Sequence, residues 1–232
     1  MISKITKQIP NMFTMGNLCC GVLAILMMFD GQLQSAASLI ILATIFDFFD
    51  GFLARLLKVS GELGKQLDSL ADMVTFGVAP SIMLFHLSDG LEFDSMSYLR
   101  YAFIILAVFS AYRLGKFNLD TRQTNTFIGV PTPITGISVI AWAYIESPVK
   151  DALFGNAYYF AAYCIFISLL LISEIPMPSL KLKKGPLKNY AQHLFLLAVG
   201  LIALLFTGWL CVPIFYATYV LSSILINFAA KK

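Results

Sequence analysis

Apolar positions along the chain gather into long runs broken by short polar segments, with no sustained alternation of single apolar and polar residues. The runs cover 12–29, 34–57, 67–88, 98–118, 130–146, 154–174, 190–206 and 209–229. Each supplies about 17–25 residues, enough helix to cross a hydrocarbon core about 30 Å thick at about 1.5 Å per residue. Helix is the predicted element because lipid offers no partner to an unpaired backbone group, and the period-two pattern of an outer-membrane barrel is missing. The expectation is an all-α integral membrane protein of about eight transmembrane helices. The last two form a hairpin turning at Thr207–Gly208. The polar breaks, such as "KVSGELGK" and "PMPSLKLKKGP", are short, and no period of 20–50 residues is visible. The glycines of "KVSGELGK" predict a tight reversal between two neighbouring antiparallel helices, and Asn11 after Pro10 predicts a cap on the first helix.

Composition reinforces the pattern. Residues are 59% hydrophobic and 12% charged, against roughly 25% charged in soluble domains, and mean hydropathy is +0.80. Little is left for a soluble domain. The first run is long and lacks a small-residue cleavage site, so it reads as a retained helix rather than a signal peptide. Cys19, Cys20, Cys164 and Cys211 all lie in apolar runs without metal-ligand spacing and read as buried small hydrophobes.

The distribution of charge gives the orientation. With a cytoplasmic N-terminus and eight alternating spans, the inner side holds Lys4, Lys7, Arg55, Lys58, Lys65, Arg113, Lys116, Arg122, Lys181, Lys183, Lys184, Lys188, Lys231 and Lys232. Arg100 and Lys150 alone fall outside. This positive-inside bias predicts a cytoplasmic (inner) membrane protein with both termini in the cytoplasm. A basic inner face attracts anionic lipids and substrates, and nothing soluble remains to bind nucleic acid. Intramembrane polar groups concentrate in residues 1–190, expected as the functional domain, whereas 191–232 is almost purely apolar and reads as a structural hairpin.

Four aspartates are the exception to an apolar interior. Asp47 and Asp50, three apart, end the second helix; Asp68 and Asp72, four apart, begin the third. Those spacings share a helix face, and the short loop sets both pairs at one depth. An ionised carboxylate at the bilayer centre costs on the order of 2.5–3.5 kcal/mol, and four facing one another repel. Divalent cations, bound protons or a water-filled cavity would relieve the cost. An oxygen-only set favours Mg²⁺, Mn²⁺ or Ca²⁺ over zinc. Two such ions about 3.5–4 Å apart suit displacement at phosphorus. Gly51 and Ala54 lie four and seven residues after Asp47, clearing a smooth strip where a ligand could lie, and Arg55 can pair with a carboxylate or phosphate.

The stretch "DFFDGFLARLLKVSGELGKQLDSLAD" reads D-x2-D-G-x2-A-R-x8-G-x3-D-x3-D. It resembles the signature of the CDP-alcohol phosphatidyltransferases, with every fixed position filled. The resemblance implies a six-helix membrane core, here with an added C-terminal hairpin, and two divalent cations holding the diphosphate of a CDP-linked lipid. It makes Asp47, Asp50, Asp68 and Asp72 metal ligands, and Asp72 also the general base towards the incoming alcohol. CDP binding is implied for Asp47, Gly51, Ala54, Arg55 and Asp68. Homodimerisation is implied too.

Other stretches bear on the acceptor. "PNMFTMGNLCCG", "YRLGKFN", "FIGVPTP" and "SEIPMPSLK" are similar to segments of bacterial and archaeal phosphatidylserine synthases, in which Thr14 and Asn17 would face the nucleotide. The resemblance covers roughly residues 7–190. It implies transfer of the phosphatidyl group from CDP-diacylglycerol to L-serine, giving phosphatidylserine and CMP. A zwitterionic acceptor needs a cation for its carboxylate and acceptors for its ammonium, which Arg113 and Asn118 can supply. Within the class, glycerol 3-phosphate or an inositol phosphate is the alternative acceptor; these would want an added basic cluster. A cation or proton transporter is the alternative from another class. It would spread ionisable groups through the bilayer depth, whereas these gather at one end.

Overall fold

The computed structural model describes residues 2–59, 61–88, 97–120, 127–177, 196, 200 and 202–230. It is all-α apart from one two-residue strand pair, and it is a multi-pass membrane protein. Helices α1 (Ile2–Phe29) and α2 (Leu33–Leu56) form an antiparallel pair. They are joined at Gly31, whose φ of 74° needs a residue without Cβ. A third rod follows: α3 (Glu62–Asp72), a π-helical turn (Met73–Val78) and α4 (Ala79–Leu87). Pro80 cannot donate to the carbonyl of Phe76, and the widened turn directly before it absorbs the lost bond. Helix α5 (Ile104–Leu119) continues a 3₁₀ segment, Ser97–Phe103.

Among the described residues, five stretches are long and apolar enough to cross a membrane: Gln8–Phe29, Leu33–Leu56, Glu62–Leu87, Tyr98–Leu119 and Ile202–Phe228. The first four coincide with the first four predicted runs. Their outer faces carry exposed Leu26, Phe48, Phe52 and Val108, side chains that lipid rather than water accommodates. The fifth run differs from expectation. Its helix α6 (Thr132–Ile140), with the 3₁₀ turn Ala141–Tyr144, spans only about 20 Å and is largely buried. Protein rather than lipid surrounds it. The sixth run is α7 (Pro148–Phe154) and α8 (Ala157–Ile172), bent by 91°. Each is started by a side-chain cap: Ser147 accepts from the Lys150 N–H, and Asn156 accepts from the N–H groups of Tyr158 and Tyr159.

Strand β1 (Phe127–Ile128) pairs antiparallel with β2 (Pro176–Met177) and pins the adjoining ends of α6 and α8 together. Gly129, at φ 75°, lies so close to the Leu171 carbonyl that any Cβ would collide with it. The predicted C-terminal reversal is present. Gly200 lies against the Phe215 ring, although fifteen residues of continuous helix would separate them by about 22 Å. Gly208, at φ 55°, makes the turn, and α9 (Cys211–Ala230) returns. Lys181, Lys183, Lys184 and most of the seventh run lie outside the described residues.

Two local expectations are corrected. Helix α1 already begins at Ile2, so Asn11 sits inside it and caps nothing; its amide donates to Gln8 Oε1 at 2.9 Å. The reversal after α2 is made by Lys58, a non-glycine residue with left-handed φ (53°), while Gly61 is extended at the start of α3.

Candidate active site

The site forms where α1, α2 and α3 meet. Asp47 and Asp50 project from the last turns of α2 towards α3, and one carboxylate oxygen from each of Asp47, Asp50 and Asp68 lies within 4.8 Å of the other two. Asp47 and Asp68 come within hydrogen-bonding reach of each other. Asp50 is fixed from α1, since the Thr14 hydroxyl donates to its Oδ2 at 2.7 Å. Asp72 stands outside this triad, one turn deeper on α3 and buried. Asn17 Nδ2 donates to its Oδ1 at 3.2 Å, and Thr75, in the π-helical turn, donates to the Asn17 carbonyl at 3.2 Å. One face of α1 thereby sets two aspartates on two different helices.

Whether a metal fits can be judged from the donor set. Among the described residues no lysine or arginine forms an ion pair with the four aspartates. Arg55 acts on Asp50 only from a distance, so most of their mutual repulsion is left for another cation to relieve. Three all-oxygen ligands at this spacing suit a hard divalent cation. Beside Asp72, the buried Asn17 Oδ1 has no hydrogen-bond partner among the described residues, an acceptor left for a bound water to meet. The residues fit.

Beside the triad opens a cleft of about 320 Å³. Gly51, Ala54, Gly61 and Gly64 give it its depth; Asn11, Thr14, Asp50 and Asp68 give it polar walls; Arg55 and Lys65 are its cations. The Arg55 guanidinium folds back over Gly51, where Nη1 lies 3.3 Å from the position of an added Cβ. Gly64 faces Asn11 Oδ1 at a similar approach of 3.2 Å, so a side chain there would displace the Asn11 amide and narrow the cleft. Thr14, Gly51, Ala54, Arg55 and Asp68 thus share the cleft. Asp47 borders it through the triad, whereas Asn17 points away from it to Asp72.

Arg113 and Asn118 separate. Arg113, on α5, is buried; Nη1 donates to Thr132 Oγ1 at 3.4 Å, and the guanidinium carbon lies 5.3 Å from the Phe117 ring centre. Its Nε has no partner among the described residues. It is within electrostatic reach of Asp72. Asn118 turns to α3 instead, donating to Ser69 Oγ at 2.8 Å, while its carbonyl accepts from Lys65 Nζ at 2.8 Å. Sequence reasoning missed Asn11, Lys65, Thr75 and Thr132. Lys65 alone left a trace, three residues before Asp68 and hence on the same helix face. The C-terminal helix packs against this region, where buried Tyr216 Oη lies 3.4 Å from Thr135 Oγ1.

Comparison with known proteins agrees with this geometry. The sequence model of a family described as CDP-alcohol phosphatidyltransferase matches residues 7–226, beyond residue 190 where the motif resemblance ends. The CDP-diacylglycerol–serine O-phosphatidyltransferase of Bacillus subtilis is 34% identical over 176 residues, covering 75% of this chain and 92% of that protein. The Helicobacter pylori (strain 26695) protein of the same name is 28% identical over 219 residues, 93% of this chain and 89% of that one. The archaetidylserine synthase of Methanothermobacter thermautotrophicus is 34% identical over 180 residues, with 75% and 72% covered.

Proposed function

The chain belongs to the CDP-alcohol phosphatidyltransferase family, and from that premise we propose that it transfers the phosphatidyl group of CDP-diacylglycerol to the hydroxyl of L-serine, releasing CMP. The observation that carries the reading is the aspartate triad beside a glycine-floored cleft, with a buried carboxylate one helical turn away.

Asp47, Asp50, Asp68 and Asp72 hold two divalent cations, Mg²⁺ or Mn²⁺, with Ca²⁺ a third option. When bound, these cations supply charge neutralisation for the diphosphate and for the departing CMP. Thr14 keeps Asp50 turned towards the triad. Gly51 and Ala54 leave room for the cytidine, and Arg55 covers its phosphate side. Asn17 serves the nucleotide site indirectly, by holding Asp72. Asp72 takes the proton of the acceptor hydroxyl as its oxygen forms a bond to the lipid phosphorus and the bond from phosphorus to CMP breaks. Arg113 receives the acceptor carboxylate with a guanidinium that the protein leaves partly unpaired. Asn118 contributes as the tie that fixes α5 to α3 through Ser69.

We place the site on the cytoplasmic side of the inner membrane, with both termini cytoplasmic, where water-soluble acceptor and CMP exchange freely. Residues 1–190 form the catalytic unit and 191–232 the added hairpin, and the enzyme works as a homodimer. The decisive experiment compares CMP release from CDP-diacylglycerol with L-serine, glycerol 3-phosphate and inositol phosphate. Release with serine, lost in Asp72→Asn, is expected. Release with a phosphorylated acceptor alone would overturn the choice of serine.

A further inference from the structure

A zwitterionic amino acid carries its carboxylate and ammonium on one carbon, so its site needs a cation and an anion side by side. Arg113 supplies the cation, but Asn118, held by the bond from its Nδ2 to Ser69 Oγ, has only a neutral amide oxygen to offer an ammonium. The anion is found elsewhere. Arg113 lies in a narrow cleft with Tyr112, Lys116, Ile128, Leu171 and Ser173, and the space within is only about 10 Å³, room for roughly one water. At its lip, Lys116 Nζ meets Glu174 Oε1 at 3.3 Å. Lys116 is three residues from Arg113 and so on the same face of α5. Glu174 follows Ser173 directly and is well exposed, with a side chain at 71% of its free accessibility. An exposed pair of this kind is worth little as a brace and exchanges partners readily.

We propose that Glu174 is a specificity residue that leaves Lys116 to bind the ammonium of the acceptor while Arg113 binds its carboxylate. This rests on the reading of serine as acceptor. The exchange replaces one ion pair by another, opens the lip, and sets against phosphorylated acceptors an anion that repels them. Lys116 only parks the carboxylate until the acceptor arrives.

The two partners of the pair provide the test, because a bracing role would be lost equally from either side. CMP release by the full chain in detergent is measured against L-serine at saturating CDP-diacylglycerol, and the reverse. Glu174→Gln is expected to raise KM for serine about tenfold, the loss of one charge-assisted hydrogen bond, with KM for CDP-diacylglycerol unchanged. Lys116→Met is expected not to raise it. An unchanged serine KM in Glu174→Gln, or an equal rise in both variants, overturns the assignment while leaving the function standing. A wild-type chain without serine-dependent release would overturn the function and this assignment together.

Discussion

Replacing Asn17 by alanine separates two roles that the sequence alone could not distinguish. Read as facing the nucleotide, Asn17 should contribute to CDP-diacylglycerol binding. The structure turns it elsewhere. Its Nδ2 donates to the buried Asp72 at 3.2 Å, and Thr75 holds the Asn17 backbone carbonyl from the turn that follows α3. A hydrogen bond to a charged group contributes about 1.5–3 kcal/mol. At 3.2 Å the bond is long for its class, so the lower end applies, and about 1.5 kcal/mol is roughly a tenfold change in rate. Asp72 takes the acceptor's proton in the chemical step, while Asp47, Asp50 and Asp68 still hold metal and diphosphate without it, so the loss should fall chiefly on kcat. Steady-state CMP release in detergent, with CDP-diacylglycerol and serine varied in turn, reads both parameters. The expected result is kcat lowered about tenfold, with KM for CDP-diacylglycerol within about twofold of wild type. A rise in that KM with kcat intact would refute the reasoning and return Asn17 to the nucleotide.

Chelation of divalent cations should abolish CMP release, and Mg²⁺ or Mn²⁺ should restore it. The melting temperature of the detergent-solubilised protein should also fall on chelation, because the three clustered carboxylates of the triad lose their counter-charge. A melting curve indifferent to metal would count against the triad as a binding site. Gly129→Ala forces a Cβ against the Leu171 carbonyl in a left-handed conformation and should cost about 2–4 kcal/mol, seen as a lowered melting temperature. Gly64→Val should displace the Asn11 amide and fill part of the cleft, raising KM for CDP-diacylglycerol by about tenfold, with serine KM little changed.

The parts legible in the sequence are those governed by local rules. Apolar run length alone located the first four rods, and the spacing of three with the short reversal put Asp47, Asp50 and Asp68 within one ligand sphere, whereas Asp72, four residues beyond Asp68, stands outside it. The turn at Gly208 was legible because a lone glycine between apolar runs has few other uses. What escaped was decided by contacts distant in sequence. Helix α6 is apolar enough to face lipid, yet its Thr132, Thr135 and Ser138 are buried and the helix packs against α4, α5 and α9, so only packing reveals that it is internal. The partners of Asn17 and Asn118 are 55 and 49 residues away, beyond any helical period.

The same distinction explains why α1 matters more than its sequence suggests. It carries no charge among its described side chains, yet it touches both carboxylate helices: Thr14 reaches Asp50 on α2, Asn17 reaches Asp72 on α3, and Gly21 lets Thr75 pack close. Neutral donors are suited to that position. They orient a carboxylate by one hydrogen bond and leave its charge uncancelled, whereas a lysine in place of either would neutralise the site and compete with the cations it is built to hold. The acidic cluster therefore keeps its charge because the helix that braces it contributes polarity without charge.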